Sequence, residues 1–419
     1  MLRVKAVIRS AATVLGGLAF LACGPGLTHK ALAQSNFALE SAQICETPGT
    51  WIDPDGRRPL QTSDIMRRFS DREFVLLGEN HAALEHHRWQ LQSLAGLKAH
   101  ADRLVIGFEM FPRAVQAVLD RWSQGELSEK EFLSQSRWRD VWGYDAAAYL
   151  PLFHFARQNR IPMRALNVER GLVSRVGREG WEAVPLEERE GVTDPVAAEE
   201  GYLNYLAGVY RNKILQGHGL QEAQGGGEIP EVSDILERDD FKRFVDAQLT
   251  WDRAMADALF QAKSDYPDAL VVGVIGRGHL EHGYGVPHQL SDLGATSIAI
   301  LLPVEIGGDC RAMDADIADA VFLVDREESA EADIRKPRLG VMVEPVEGGV
   351  RVLKVTSGSV AEATGLIEGD VIYRAADLPV SRASDLIEII QRQAPGTWLP
   401  LGIKRNSEEL LVLAKFPPR

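Results

Sequence analysis

Cysteine is scarce in this chain, at three in 419 residues, which excludes a disulfide-built scaffold and a multi-cysteine zinc fold. No G-x-S-x-G and no H-E-x-x-H occurs, so neither a serine nucleophile elbow nor the common zinc-protease helix is supported. Positive charge is short as well: 46 Lys and Arg face 60 Asp and Glu, a net charge of −14. Such a chain repels phosphate backbones and anionic lipid surfaces, which argues against nucleic acid as a partner. After the first residues, no apolar run is long enough for a membrane helix.

Those first residues are different. Arg3, Lys5 and Arg9 precede an apolar segment, Ala11 to Cys23, that is too short to span a bilayer. Ala31-Leu32-Ala33 then forms a small-residue cleavage pattern, so residues 1–33 are expected to be an export signal and the mature chain periplasmic or secreted. Phe20-Leu21-Ala22-Cys23 offers an alternative, a lipoprotein-type box that would attach lipid to Cys23 and anchor the protein to the outer membrane. Residues 1–33 hold four Lys or Arg and no Asp or Glu, so the remainder is four units more negative than the whole. Cys45 and Cys310 would remain, either as a disulfide tying the ends of the main domain or as two unrelated thiols.

The rest is ordinary globular composition, 25% charged and 45% hydrophobic, with room for two or three domains. Apolar runs at EFVLL (Glu73 to Leu77), RLVIGFE (Arg103 to Glu109), IPMRALN (Ile161 to Asn167), VVGVIG (from Val271) and SIAILL (Ser297 to Leu302) read as strands. Helical periodicity separates them, most clearly over 146–158 and 241–262. Residues 34–70 read as loop-rich, and Pro112 as the first turn of a helix. This alternation predicts an α/β domain over 34–310, a mostly parallel sheet flanked by helices. A connection is expected over 311–334, with a strand near Val321 to Val324. Short strands with glycine turns predict a small β-rich domain over 335–419.

Four strands end in polar groups: Glu79 and His81, Glu109, Asn167, then His279 and His282. Open α/β sheets gather ligand sites at the carboxyl ends of their strands. Two histidines and two carboxylates there could hold a divalent transition metal, or act as acid and base. Glu85, four residues after His81, could orient it. Gly276, Gly278, Gly283 and Gly285 would let backbone N–H groups approach an anion. A single His or Glu at a strand end is more often a cap. His86, His87 and His288 read as packing or surface residues, while His100 and His218 show no evident partner.

The stretch VVGVIGRGHLEHGYGVP, together with GENH, FEM and QLTWDRAMA, resembles the ChaN-like proteins of the haem-binding uptake/Tiki superfamily, over roughly residues 60–305. That resemblance implies an exported bacterial haem- or iron-binding protein of iron uptake or homeostasis. Haem needs an axial ligand in an apolar cleft and cationic or His groups for its propionates. WGYDAAAYLPLFHFARQNR would supply Tyr149 first, then Tyr144 and His154, with Arg157 for the propionates and Trp142, Phe153 and Phe155 as walls; His279 and His282 are the further candidates. The absence of C-x-x-C-H excludes the usual covalent attachment. Distant relatives are hydrolases, which implies as an alternative a metal-dependent peptidase or esterase using Glu79, His81, Glu109 and His279. Arg338-Leu339-Gly340-Val341 with GSVAEATGLIEGDVIYRA resembles a PDZ domain. There the loop at Leu339, Gly340 and Val341 would receive the carboxylate of a protein C-terminus or peptide; a dimer contact or spacer is the other role such modules serve.

Overall fold

Apolar runs that end in glycine or a charged residue become the strands of this protein. A computed structural model describes residues 45–55, 57–217, 231–326, 337–394, 396–406 and 408–417. The expected export signal, Cys23 and His218 lie outside the described residues, as do residues 327–334 of the expected connection. Two units divide between Arg326 and Glu327.

The first unit holds strands β1 (Trp51–Asp53), β2 (Arg58–Leu60), β3 (Phe74–Glu79), β4 (Leu104–Pro112), β5 (Met163–Asn167), β6 (Leu270–Gly276), β7 (Ile298–Glu305) and β8 (Ala320–Val324). They form one sheet in the order β2-β1-β8-β7-β3-β6-β4-β5. The strands from β3 to β8 run parallel, and β1 is antiparallel to both its neighbours. The expected mostly parallel α/β sheet is therefore present. Parallel neighbours need crossovers, supplied here by helices that include α1 (Leu84–His100), α2 (Ala146–Gln158), α3 (Arg170–Glu179), α4 (Glu200–Gly217), α5 (Asp239–Asp265) and α6 (Val286–Asp292).

Both faces of the sheet are covered, which is why its strands are apolar without interruption. Alternate side chains feed two cores. Val75, Leu77, Ile106 and Phe108 pack with Trp89 and Leu94 of α1 and Leu152 and Phe153 of α2. On the other face, Leu76, Val105 and Ile275 meet Met255, Ala256 and Leu259 of α5 and Leu290 of α6. Burying each such large side chain stabilises the fold by about 1.5–3 kcal/mol before entropy is counted.

Three local features differ from the sequence reading. The segment before residue 70 contains the β1–β2 pair rather than loop alone. Pro112 ends β4 in extended geometry instead of opening a helix, because the strand shifts register between Phe108 and Pro112 and places Pro112 opposite Asn167. The strand expected near Val321 to Val324 is β8, and it pairs with β7 and β1, so these residues belong to the first sheet rather than to a connection. Cys45 and Cys310 form a disulfide. No helix among the described residues is long and apolar enough to cross a membrane.

The second unit is antiparallel: β9 (Val341–Val346), β10 (Gly349–Val355), β11 (Val371–Ala375), β12 (Leu378–Pro379), β13 (Trp398–Arg405) and β14 (Glu408–Lys415). The order is β14-β13-β11-β10-β9, with β12 on β11. Helices α7 (Val360–Thr364) and α8 (Ala383–Gln391) complete this β-rich domain. Gly340 precedes the edge strand β9 at φ +84°, and a Cβ there would lie 2.2 Å from that of Ser359, so no other residue fits this turn.

Candidate functional site

Sheet order sets β3, β6, β4 and β5 side by side, and their carboxyl ends lie together: Glu79 is opposite Gly276, and Pro112 opposite Asn167. A cavity of about 820 Å³ opens there, lined by His81, Glu109, Asn167 and His279 among others. The four strand ends singled out from the sequence thus meet at one place.

Glu79 is fully buried behind His81 and accepts a 2.9 Å hydrogen bond from its Nδ1. The Tyr149 hydroxyl donates to the same carboxylate oxygen at 2.9 Å, with His81 O at 3.2 Å as its other neighbour. The second oxygen of Glu79 lies 3.3 Å from His87 Nδ1 without a well-directed hydrogen bond, so that contact is mainly one of charge. Acceptors surround both nitrogens of the His87 ring: His81 O faces Nε2 and Gln90 Oε1 faces Nδ1. Gln90 is held the right way round because its amide donates to Leu77 O and Gly78 O. Burial works against charging this histidine, but the close contact and charge of Glu79 raise its pKa. Burial likewise pushes Glu79 up, yet the hydrogen bond from His81 and the close contact and charge of His87 outweigh it and hold Glu79 at about 2. His81 is raised too: burial opposes its charge, while Glu79 and Glu109 favour it.

A second pair faces the first. His279 Nδ1 donates at 2.6 Å to Asp252 of α5, a fully buried residue whose other oxygen accepts from the Tyr202 hydroxyl at 2.7 Å. Burial lowers the pKa of His279, but the charge of Asp252 and its hydrogen bond raise it to about 9. A Cβ at Gly285 would lie 2.8 Å from Asp252 Oδ1 and 2.6 Å from His279 O, so glycine is what lets this pair close. Between the pairs, Glu109 Oε2 accepts from the Gly276 N–H. A Cβ on Gly276 would sit 2.8 Å from His81 Cε1 and 3.3 Å from Glu109 Oε2, in the space between them. Asn167 donates at 3.1 Å to Glu109 O and so fixes the end of β4.

The other expected residues separate. Tyr144 lines the cavity, 42% exposed, its ring 5.6 Å from that of His81. Trp142 stands against His81 at 4.6 Å, and Trp251 against His279 at 6.1 Å. Tyr149 is not at the cavity: its ring is core and its hydroxyl is committed to Glu79, and burial together with that carboxylate pushes its pKa far up. His154 pairs with Glu129 and lies tilted against the Trp122 ring at 5.1 Å. His282 turns away to Asp316 and stacks on Tyr284. Arg157 donates to Leu127 O and covers Trp122, so it supplies no charge to the cavity. Phe153 is core. Glu85 pairs with Arg88, and the group orienting His81 is Glu79. The expected metal set is corrected: among the described residues, no three His, Cys, Asp or Glu side chains are arranged to hold a metal ion. Glu79 in particular is spent on His81 and Tyr149 behind the cavity wall.

Asp252 and His87 were missed. Asp252 sits in the stripe Val245, Leu249, Asp252, Ala256, Leu259, so an acid at a core position of an apolar helix face was the signal. The arrangement offers two imidazoles with Nδ1 fixed and Nε2 left for the cavity, one carboxylate between them, and aromatic walls.

Residues 65–290 match the family model described as haem-binding uptake, Tiki superfamily, ChaN. Residues 337–415 match that of the PDZ domain. Among solved structures, one described as cofacial heme binding to ChaN of Campylobacter jejuni is 18% identical with a TM-score of 0.48; the match covers 65% of this chain and 95% of that one. The PDZ domain of HtrA3 bound to a phage-derived ligand is 23% identical over 19% of this chain and 84% of that one, with a TM-score of 0.18. The HtrA-type protease AlgW with a decapeptide is 24% identical over 20% of this chain and 30% of that one, at 0.19. No curated protein matches the chain. Since the first family model spans more than half of the sequence, this chain belongs to the haem-binding ChaN family of the Tiki superfamily, and it carries a PDZ domain after that region.

Proposed function

We propose that the protein binds haem in the cavity at the ends of β3, β6, β4 and β5, outside the cytoplasm, in iron uptake or homeostasis. The observation that carries this reading is the cluster of Tyr144, Trp142 and His81 at one cavity wall. Tyr144 stands against His81, its hydroxyl held by no buried carboxylate among the described residues, and a phenolic oxygen is a known type of haem-iron ligand. His81 and His279 present Nε2 because Nδ1 of each is tied to a carboxylate. The volume suits a ligand of that size, and Trp142, Trp251 and Phe244 give it apolar faces. Bound haem would supply a Lewis-acidic iron; the chain supplies ligand oxygen or nitrogen and exclusion of water.

Titration with hemin is the test. A saturable Soret band is expected, with Tyr144→Phe shifting it and weakening binding about tenfold or more, and Tyr149→Phe leaving its position unchanged. Absence of a saturable band in the unaltered chain sinks the reading.

A second reading, hydrolysis by general acid–base chemistry, is favoured by two carboxylate-backed histidines flanking Glu109. It expects ester or peptide cleavage that Glu109→Gln abolishes.

For the PDZ domain we propose that an extended peptide adds to β9. Leu339 O and Gly340 O accept from Ala361 and Thr356, while the N–H groups of Leu339 and Gly340 find no acceptor among the described residues. These N–H groups are what a terminal carboxylate needs. The half-buried Val341 and Val343 pack on the same core as Leu386 and Ile390 of α8, so an apolar peptide terminus is favoured. Export is supported by the pattern of residues 1–33 and by the disulfide, which suits an oxidising compartment. An intact mass of the mature protein would separate cleavage after Ala33 from lipidation of Cys23.

A further inference from the structure

The cavity has two chemically different ends. Along α5, Phe244, Gln248 and Trp251 fall at helical spacing and all line it. Trp251 stands at the histidine end, against His279. Eight residues earlier, Arg243 lines the opposite end, about 12 Å away along the helix axis. Lys213 reaches the same end from α4, its Nζ 5.4 Å from the Phe244 ring. Neither cation has a carboxylate partner among the described residues. Asp240, an acid on the cavity wall three residues before Arg243 on α5, is held by Arg238 through two hydrogen bonds of 2.6 and 2.9 Å. In a chain of net charge −14, cations without a carboxylate partner in a cleft walled by aromatic rings are a specific arrangement, and Lys213 and Arg243 are the two beside Phe244.

We infer that Lys213 and Arg243 form a carboxylate-binding end, so that the cavity selects a planar amphipathic dicarboxylate held ring inward and carboxylates outward. The inference rests on the haem reading for the identity of the ring, but not on iron: a metal-free porphyrin dicarboxylate is expected to bind by the same end. Charge-assisted hydrogen bonds from Lys and Arg supply the discrimination. Phe244, beneath Lys213, gives the ring its apolar contact.

Quenching of tryptophan fluorescence in the full chain reads this directly, since Trp142 and Trp251 both line the cavity. Metal-free protoporphyrin IX is expected to bind saturably, and its dimethyl ester at least about tenfold more weakly. The double variant Lys213→Ala, Arg243→Ala should weaken the free acid by about tenfold or more and the ester by less than about twofold. Its Soret band at saturating hemin should keep the wild-type position, because the histidine end is untouched. Equal affinity for acid and ester, or equal losses for both in the double variant, would overturn the inference. Acid-over-ester preference without any hemin Soret change would instead count against the haem reading and uphold this one.

Discussion

Asp252 has no exposed surface, and both of its oxygens are taken up by donors, His279 and Tyr202. A buried carboxylate costs several kcal/mol unless it is paired in this way. The consequence falls on His279, raised from 6.5 to about 9. A histidine so raised contributes stability that is fully present below about 6.5 and lost as the pH climbs through about 9. Asp252→Asn is therefore expected to bring the His279 ring titration down by about two units or more, and to flatten the fall of Tm between pH 6.5 and 9; NMR of the ring and thermal melts check both. The sign is opposite at Glu79, held at about 2 against an ordinary 4.5: its contribution stands above pH 4.5 and is lost as the pH falls towards 2. Glu79, His81, Glu109 and His279 were legible because each directly follows or ends an apolar strand. Tyr149 was not, since helical spacing leaves open whether an aromatic ring meets the core or the cavity.

The strands were the most legible elements, and their ends the most informative, because burial on both faces leaves no polar interruption until the chain leaves the sheet. The β1–β2 pair escaped notice since three-residue strands carry too short a pattern to stand out from turns. Strand β6 shows what a single position in an element can decide. Gly276 ends it in ordinary extended geometry, with φ −56°, so alanine is acceptable to the backbone. Its Cβ would nonetheless enter the space between His81 and Glu109. Gly276→Ala is expected to lower hemin affinity about tenfold or more while costing about 1–3 kcal/mol of stability, measured by Soret titration beside denaturant melts. Unchanged hemin binding would mean the ligand does not approach that strand end.

The chain's two units draw on different means of support. The second relies on its own small core. The first adds the Cys45–Cys310 disulfide, which joins residues 265 positions apart. In the chain-entropy model a loop of that size contributes about 5 kcal/mol. Reduction, or the Cys45→Ala, Cys310→Ala pair, should lower the unfolding transition of the first unit by several degrees and leave that of the second in place; calorimetry with and without dithiothreitol tests it. Equal shifts in both units would contradict the assignment of the bond to one of them.

That bond also decides where the protein can last. It closes the stretch just before β1 onto the segment after β7, where Gly307 N–H donates to Cys45 O. A copy that folds in a reducing compartment lacks the closure, and the sheet margin formed by β1 and β2 loses its covalent tie. Its open form is then more populated and more readily taken by proteases. Survival is thereby expected to follow the redox state of the surroundings: the same sequence should last longer where the bond forms than where it is kept reduced, with no dedicated sensor needed to tell the two apart.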